Sequence, residues 1–383
     1  MGGTTRLFLI ISTDQIDIVV SRSMAHREES VMDLNVMSRR RVFGLCGAVL
    51  AAAVGVAGCG GSGSTSGSGS SGSGAASATA TATKLDIVGF SVIKSAYDAL
   101  GAAFAGTPGG AGTTFKASYG ASGAQSRAVI AGQKADVVAF SLQPDLDNVV
   151  KAGLVDPSWN AGPAKGVASR SVVVIAVRAG NPKGIKGWAD LVRPGVGIVT
   201  ADPGTSGSAK WNLLAAYGQA LGATKDVAAA KTYLAGFVKN VVSWNESGRT
   251  ATDAFVKGTG DVLISYENEA IAARAAGVGL DYVVPDTTVL IENPAAVTKS
   301  APARAKDFLA FVESVDGQKI LGSKGFRPVD DTVTISGVKG ATDPANPFPK
   351  VANLITVDSL GGWKAVNALL FDTGKGLVPQ LRA

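Results

Sequence analysis

The chain predicts an α/β fold, and three observations carry that prediction. From residue 84 onward, short apolar runs of strand type alternate with stretches whose apolar residues recur every three or four positions. Most of the strand runs are largely apolar, as expected of mainly parallel strands covered on both faces by helices. Several strand-to-helix junctions are short and made of Gly, Ser and Thr.

In chain order the strand candidates are Leu85–Phe90, Thr114–Ser118, Asp136–Phe140, Ser171–Val177, Gly197–Thr200, Asp261–Tyr266 and Asp281–Val284. Helical spacing marks Ser95–Phe104, Gln125–Ala131, Ala209–Leu221, Ala228–Val238, Thr252–Lys257 and Asn268–Ala275. The third of these shows the pattern well, with Leu213, Leu214, Tyr217, Ala220 and Leu221 on one face. No internal repeat of fixed period is present.

Ligands of such folds bind beyond the C-terminal ends of the strands, where a loop feeds a helix N-terminus. Three junctions share one character: Ser118 to Gln125, Thr200 to Ala209 and Asn245 to Thr252. Each opens a helix with Gly and hydroxyl residues. Glycine allows close approach of the backbone, and free N–H groups at a helix start favour an anion. Ser and Thr are also ordinary N-caps, so one such loop alone decides nothing. Three in one domain point to an oxyanion site. No Gly-x-x-x-x-Gly-Lys-Ser/Thr loop is present, which argues against a nucleotide.

The residues that are missing narrow the chemistry further. All four methionines lie at or before Met37, the one histidine is His26, and the two cysteines are Cys46 and Cys59. The α/β region therefore has no imidazole or thiol for a Ser-His-Asp or Cys-His mechanism, and no zinc or haem ligand set of the usual kind. No cofactor is expected, and the chain does not read as an enzyme. The formal net charge is +6, and no basic run carries interleaved aromatics, so nucleic acid is not an expected partner.

The first part of the chain reads as an address. Ser38-Arg39-Arg40-Arg41 precedes sixteen apolar residues, Val42 to Ala57, and the run closes on Gly58-Cys59. That order matches a lipoprotein signal peptide over residues 37–59, with Cys59 as the lipidated residue and Sec or twin-arginine export both open. Residues 1–36 read as an upstream extension ahead of a start at Met32 or Met37. Residues 60–83 are nearly all Gly, Ser, Ala and Thr and predict a flexible tether, on the order of 25 Å in reach.

Over about Leu85 to Gly376 the chain resembles the bacterial sulfate- and thiosulfate-binding proteins of ABC transporters. The resemblance rests on Pro203–Gly218 (PGTSGSAKWNLLAAYG), Gly123–Val138, Gly260–Glu269 (GDVLISYENE) and Gly325–Val329 (GFRPV). Phe348-Pro349-Lys350 and Gly361-Gly362-Trp363 extend it. It implies a periplasmic-binding-protein fold of type II: two α/β domains joined by crossing strands, at Ser171–Arg178 and Val289–Val297, with a ligand cleft between them. Domain I would comprise residues 84–172 and 292–383, and domain II residues 173–291. The implied role is a lipid-anchored monomer on the outer face of the cytoplasmic membrane that hands sulfate or thiosulfate to ABC importer membrane subunits. Another tetrahedral oxyanion (phosphate or molybdate) and a surface hydrolase are the alternatives.

The resemblance also implies ligand contacts at Ser91, Ser122 (through its hydroxyl), Ser206, Gly207, Ser208, Gly248 and Tyr266, with Arg249 bracing its loop. Three positions depart from the family pattern. Ser91 stands where an Asp donates through its backbone, Ser208 where a Gly does, and Tyr266 where a Trp donates its indole N–H. Phenol donates or accepts, whereas indole only donates. Tyr266 can therefore donate to the anion, reach it through water, accept from a protonated anion, or be a core tyrosine at a strand end. Sulfate carries no proton near pH 7 and phosphate does, so a site made only of donors would prefer sulfate. The loop carboxylates Asp202 and Glu246 would reverse that preference if they pointed inward.

Overall fold

The computed structural model describes residues 10–12, 15–17 and 82–383. In the first unit β1 (Ile10–Ser12) and β2 (Gln15–Asp17) pair antiparallel. Cys59, the expected signal peptide, most of the expected upstream extension and nearly all of the expected tether lie outside the described residues.

The second unit, residues 75–383, opens with β3 (Thr83–Phe90), α1 (Lys94–Ala105), β4 (Thr113–Gly120), α2 (Ser122–Ile130), β5 (Val137–Ala139) and α3 (Gln143–Lys151). The long β6 (Val167–Arg178) follows, then β7 (Ile198–Ala201), α4 (Gly207–Leu221), α5 (Val227–Lys239), β8 (Val241–Asn245), α6 (Gly248–Val256), β9 (Val262–Tyr266) and α7 (Glu267–Ala275). β10 (Leu280–Val283) and the second long strand, β11 (Thr287–Val297), precede α8 (Ala303–Glu313), α9 (Val315–Ser323), β12 (Asn353–Ile355), α10 (Gly362–Val366) and α11 (Leu377–Arg382).

The sheet runs β4-β3-β5-β11-β6-β9-β7-β8. Pairing is parallel within each half, β3 with β4 and β5, and β7 with β8 and β9. It is antiparallel wherever β6 or β11 meets a main-sheet neighbour. The expectation of mainly parallel strands thus holds for the two halves and fails at the centre. The reason is geometric: one long strand carries the chain out of the first half and the other carries it back. β11 pairs with β6 over Leu290–Pro294 and with β5 over Ala295–Val297, so it belongs to both halves. This is the α/β architecture of type II periplasmic binding proteins. Val172 to Val177 of β6 are almost fully buried, which accounts for their unbroken apolar run.

Helix α4 departs from its amphipathic reading. Residues 206–218 are buried on every face except at Lys210, because the end of the chain covers the face that would otherwise meet water. Trp363 packs edge-on against Trp211 at 4.8 Å, and a Cβ on Gly218 would stand 3.0 Å from Ile355. Arg382 pairs with Asp202 at 2.5 Å. Ile355 and Trp363 therefore lie against α4, and Arg382 against the loop before it.

Candidate ligand site

Five strands end at one place. β3 leads into a 3-10 turn at Ser91–Ile93, β4 into α2, β5 into α3, β7 into α4 and β8 into α6. β9 adds Tyr266 directly before α7. Packing distances fix the convergence. A Cβ on Gly207 would fall 2.5 Å from Ser141 Oγ, and one on Gly248 would fall 2.6 Å from Ser208 Oγ and 3.0 Å from Val92. A Cβ on Gly123 would lie 3.2 Å from the Thr205 carbonyl. Glycine is needed at 207 and 248 for space, since neither has positive φ.

The three hydroxyl-rich helix starts differ. Ser247 caps its own helix: its Oγ accepts from Thr250 N at 3.2 Å, and Thr250 Oγ1 accepts from Ser247 N at 2.9 Å. At α2 the N-cap is Ala121, which has no capping group, and at α4 the Ser206 side chain makes no cap bond. First-turn N–H groups have no intrahelical acceptor. In α4 these belong to Gly207, Ser208 and Ala209, all buried. The positive ends of α2 and α4 therefore face the cluster unneutralised by their own caps, and neither carries an acidic residue in its first turn.

The candidates named from sequence come together: Ser122, Ser206, Gly207, Ser208, Gly248 and Tyr266 are buried, and Ser91 is half-buried beside Val92. Tyr266 is fully buried, with its ring 6.3 Å from Phe90 and its OH 2.7 Å from Ser141 Oγ, where either oxygen can donate. Burial raises its pKa well above the usual tyrosine range, so it stays a neutral phenol. The Ser122 hydroxyl is occupied on both sides. It donates to Asp145 Oδ2 at 2.6 Å and accepts from Ser141 N at 2.9 Å. In this arrangement the hydroxyl expected to donate to the ligand is engaged within the protein, and what Ser122 offers is its backbone N–H.

Arg249 lies just behind. Its guanidinium donates to Glu269 at 2.6 Å, and Thr252 donates to the other oxygen of that carboxylate at 3.1 Å. Burial pushes the Glu269 carboxyl's pKa up, against the pull of Arg249. Neither of the two loop carboxylates of concern is buried in the cluster. Asp202 accepts from Arg382 and from Gly204 N at 2.7 Å, and Glu246 is exposed, with only its carbonyl engaging the loop by accepting from Thr205 Oγ1 at 2.8 Å.

Sequence reasoning missed Ser141, which links two of the named candidates, Ser122 and Tyr266. All the polar atoms of Ser141 are in use: Trp211 Nε1 and Asn293 Nδ2 each donate to its carbonyl at 3.0 Å, beside the bonds to Ser122 and Tyr266. The available signal was its place as the first residue after a strand candidate. Its loop has no glycine, so it did not match the other three. Asn212 ties α4 to two strands, donating to Thr200 Oγ1 at 3.0 Å and to the Ile264 carbonyl at 2.8 Å. Among the described residues no group of His, Cys, Asp and Glu is arranged to hold a metal. The arrangement can hold an anion through amides and hydroxyls.

The profile of the bacterial extracellular solute-binding proteins matches residues 85–327. The chain belongs to that family. Among curated proteins it is similar to the sulfate-binding protein of Synechococcus elongatus, 37% identical over 303 residues that cover 76% of this chain and 84% of the relative. It is also similar to the thiosulfate-binding protein of Pseudomonas aeruginosa, 32% identical over 71% of this chain and 83% of that one. Among solved structures, the sulfate-binding protein SubI from Mycobacterium tuberculosis is 44% identical with a TM-score of 0.71. That match covers 76% of this chain and all of SubI. Membership of this family gives the chain a role in binding solutes and implies export.

Proposed function

We propose that this protein captures sulfate outside the cytoplasmic membrane and delivers it to an ABC importer. The observation that carries this reading is the convergence of the α2 and α4 starts, without side-chain caps, on a cluster of neutral donors. A charge-assisted hydrogen bond contributes about 1.5–3 kcal/mol, so six or seven such donors suffice to hold a desolvated dianion. The proposed contacts are the backbone N–H groups of Ser91, Ser122, Gly207, Ser208 and Gly248, the Ser206 hydroxyl and Tyr266. Arg249 is proposed as a brace through Glu269, without touching the anion.

The two sheet halves, joined through β6 and β11, are read as domains that close on the ligand. Cys59 is the proposed site of a lipid anchor, residues 60–83 the tether, and the protein acts as a monomer without enzymatic turnover. Thiosulfate is a second reading, favoured by the resemblance to the Pseudomonas aeruginosa protein.

Titration calorimetry with sulfate, thiosulfate, phosphate and molybdate at pH 7 tests this function. Sulfate or thiosulfate is expected to bind tightest; a preference for phosphate overturns the reading. Tyr266→Phe is expected to weaken sulfate binding about tenfold, because Ser141 Oγ loses its partner inside the site. Unchanged affinity would remove Tyr266 from the contact set.

A further inference from the structure

The proposed tether joins the described fold at the start of β3, at the end of the first half-sheet that lies away from the ligand cluster. β3, β4 and β5 run parallel and end at the cluster, so all three begin toward this opposite pole. β11 runs against β5 and ends there. Each of these segments brings an exposed lysine: Lys84 in β3, Lys116 in β4, Lys134 just before β5 and Lys299 just after β11. Lys306, also exposed, follows in the first turn of α8. The charges are neighbours. Lys134 lies 2.8 Å from Asp86 and 3.9 Å from Asp136. The pKa of Asp86 is lowered, first by the bond from Lys134 and further by the charges of Lys84 and Lys116. Thr298 N donates to the Asp136 carbonyl at 3.0 Å and Lys299 N to the Leu154 carbonyl at 2.9 Å, which sets the end of β11 beside these lysines. Lys299 and Lys306 in turn both act on Asp156, whose pKa is lowered first by its bonds from Ser158. Asp86 and Asp136 are buried, so the ammonium groups are what an approaching surface meets. Asp156 and Asp307 are the exposed carboxylates here, and Arg304 adds a further cation.

We propose that this lysine pole is a docking surface for anionic phospholipid headgroups, which holds the first half of the protein against the membrane that anchors it. The proposal rests on the lipid-anchor reading of Cys59. Two observations favour this occupant: the sign of the charge, and the arrival of the chain from Cys59 at the same pole. A tether on the order of 25 Å in reach keeps the lysines near the membrane, so a weak attraction suffices. Each lysine close to an anionic surface strengthens association about fivefold. The eight residues of β3 put roughly 25 Å between the pole and the ligand cluster. That exceeds the screening length of about 8 Å at physiological salt. Docking by this pole therefore leaves the ligand cluster open to solution.

Lysine footprinting on the full chain tests this. The protein is placed on vesicles of phosphatidylcholine alone, or of phosphatidylcholine and phosphatidylglycerol in equal parts. It is then labelled with an amine-reactive ester and read by mass spectrometry. Phosphatidylglycerol is expected to slow the labelling of Lys84, Lys116, Lys134, Lys299 and Lys306 by about threefold or more. Lys231 and Lys239, exposed on α5 in the other half, are expected to label at one rate on both vesicles. The protection is expected to vanish at about 1 M salt, where the screening length falls to about 3 Å. In the variant Lys84→Gln/Lys116→Gln/Lys299→Gln, the remaining Lys134 and Lys306 are expected to label as fast as on phosphatidylcholine. Equal labelling of the pole on the two vesicle types, or protection that extends equally to α5, overturns the proposal. Retention on phosphatidylcholine vesicles reports the anchor separately. If the chain leaves those vesicles the anchor reading falls, and protection of the pole by phosphatidylglycerol still decides the docking surface.

Discussion

Helix α4 begins in the buried centre of the molecule and α5 begins at its surface, and their first turns are completed differently. At α5 the chain supplies its own cap: Asp226 Oδ1 accepts from Ala229 N at 2.9 Å, and Val227 beside it is exposed. At α4, Ser206 is buried and leaves the first turn without a side-chain cap. A third start, α7, carries carboxylates of its own, Glu267 and Glu269, each buried and paired with an arginine. Capped, charged from within, or left without a cap: residue type at the N-cap does not separate these cases, and burial with partner geometry does. A helix start that is buried and uncapped is where an external anion has something to bind to.

The contrast can be broken at several points. The largest effect is expected at α7, where Arg327→Ala would leave Glu267 buried without its two bonds at 2.7 and 2.9 Å. Stripping one partner from a buried pair costs about 3–5 kcal/mol, measurable by urea unfolding. A loss under about 1 kcal/mol would mean that the helix start itself holds the carboxylate.

At α4, Gly207→Ala would set a methyl 2.5 Å from Ser141 Oγ and 2.9 Å from Leu142. Overpacking of that kind costs about 1–3 kcal/mol, expected here as a tenfold or greater loss of sulfate affinity in calorimetry. Affinity equal to wild type would show that the α4 start is not part of the site.

The smallest and most diagnostic comparison pairs two N-cap substitutions. Asp226→Ala is expected to cost about 1 kcal/mol of stability and to leave anion binding unchanged. Ser206→Ala should do the reverse, with little change in melting temperature and a clear loss of affinity. The contrast fails if Ser206→Ala destabilises the fold as Asp226→Ala does.

Much of this was legible beforehand. Each of the seven strand candidates coincides with a strand to within a few residues, because apolar runs bounded by Gly, Asp and Ser leave few alternatives. β8 escaped, since Val241–Asn245 is only partly buried and lies at the sheet edge. The complete burial of α4 escaped as well, since its cover comes from Ile355 and Trp363, more than a hundred residues further on. Ser141 and Asp145 were invisible because their significance lies in contacts with Ser122, Trp211, Tyr266 and Asn293, which no local pattern encodes.

The sequence by itself determined the α/β alternation, the hydroxyl-rich helix starts and the lack of histidine and thiol after Cys59. These are local properties, set by side-chain period and residue type. Only the tertiary structure decided which hydroxyl caps its own helix, which is left to a ligand, and which gives its proton to a neighbouring carboxylate. Hydrogen-bond partnership depends on where atoms separated by many residues come to lie. Ser206, Ser247 and Ser122 look alike along the chain and have three different fates in the fold.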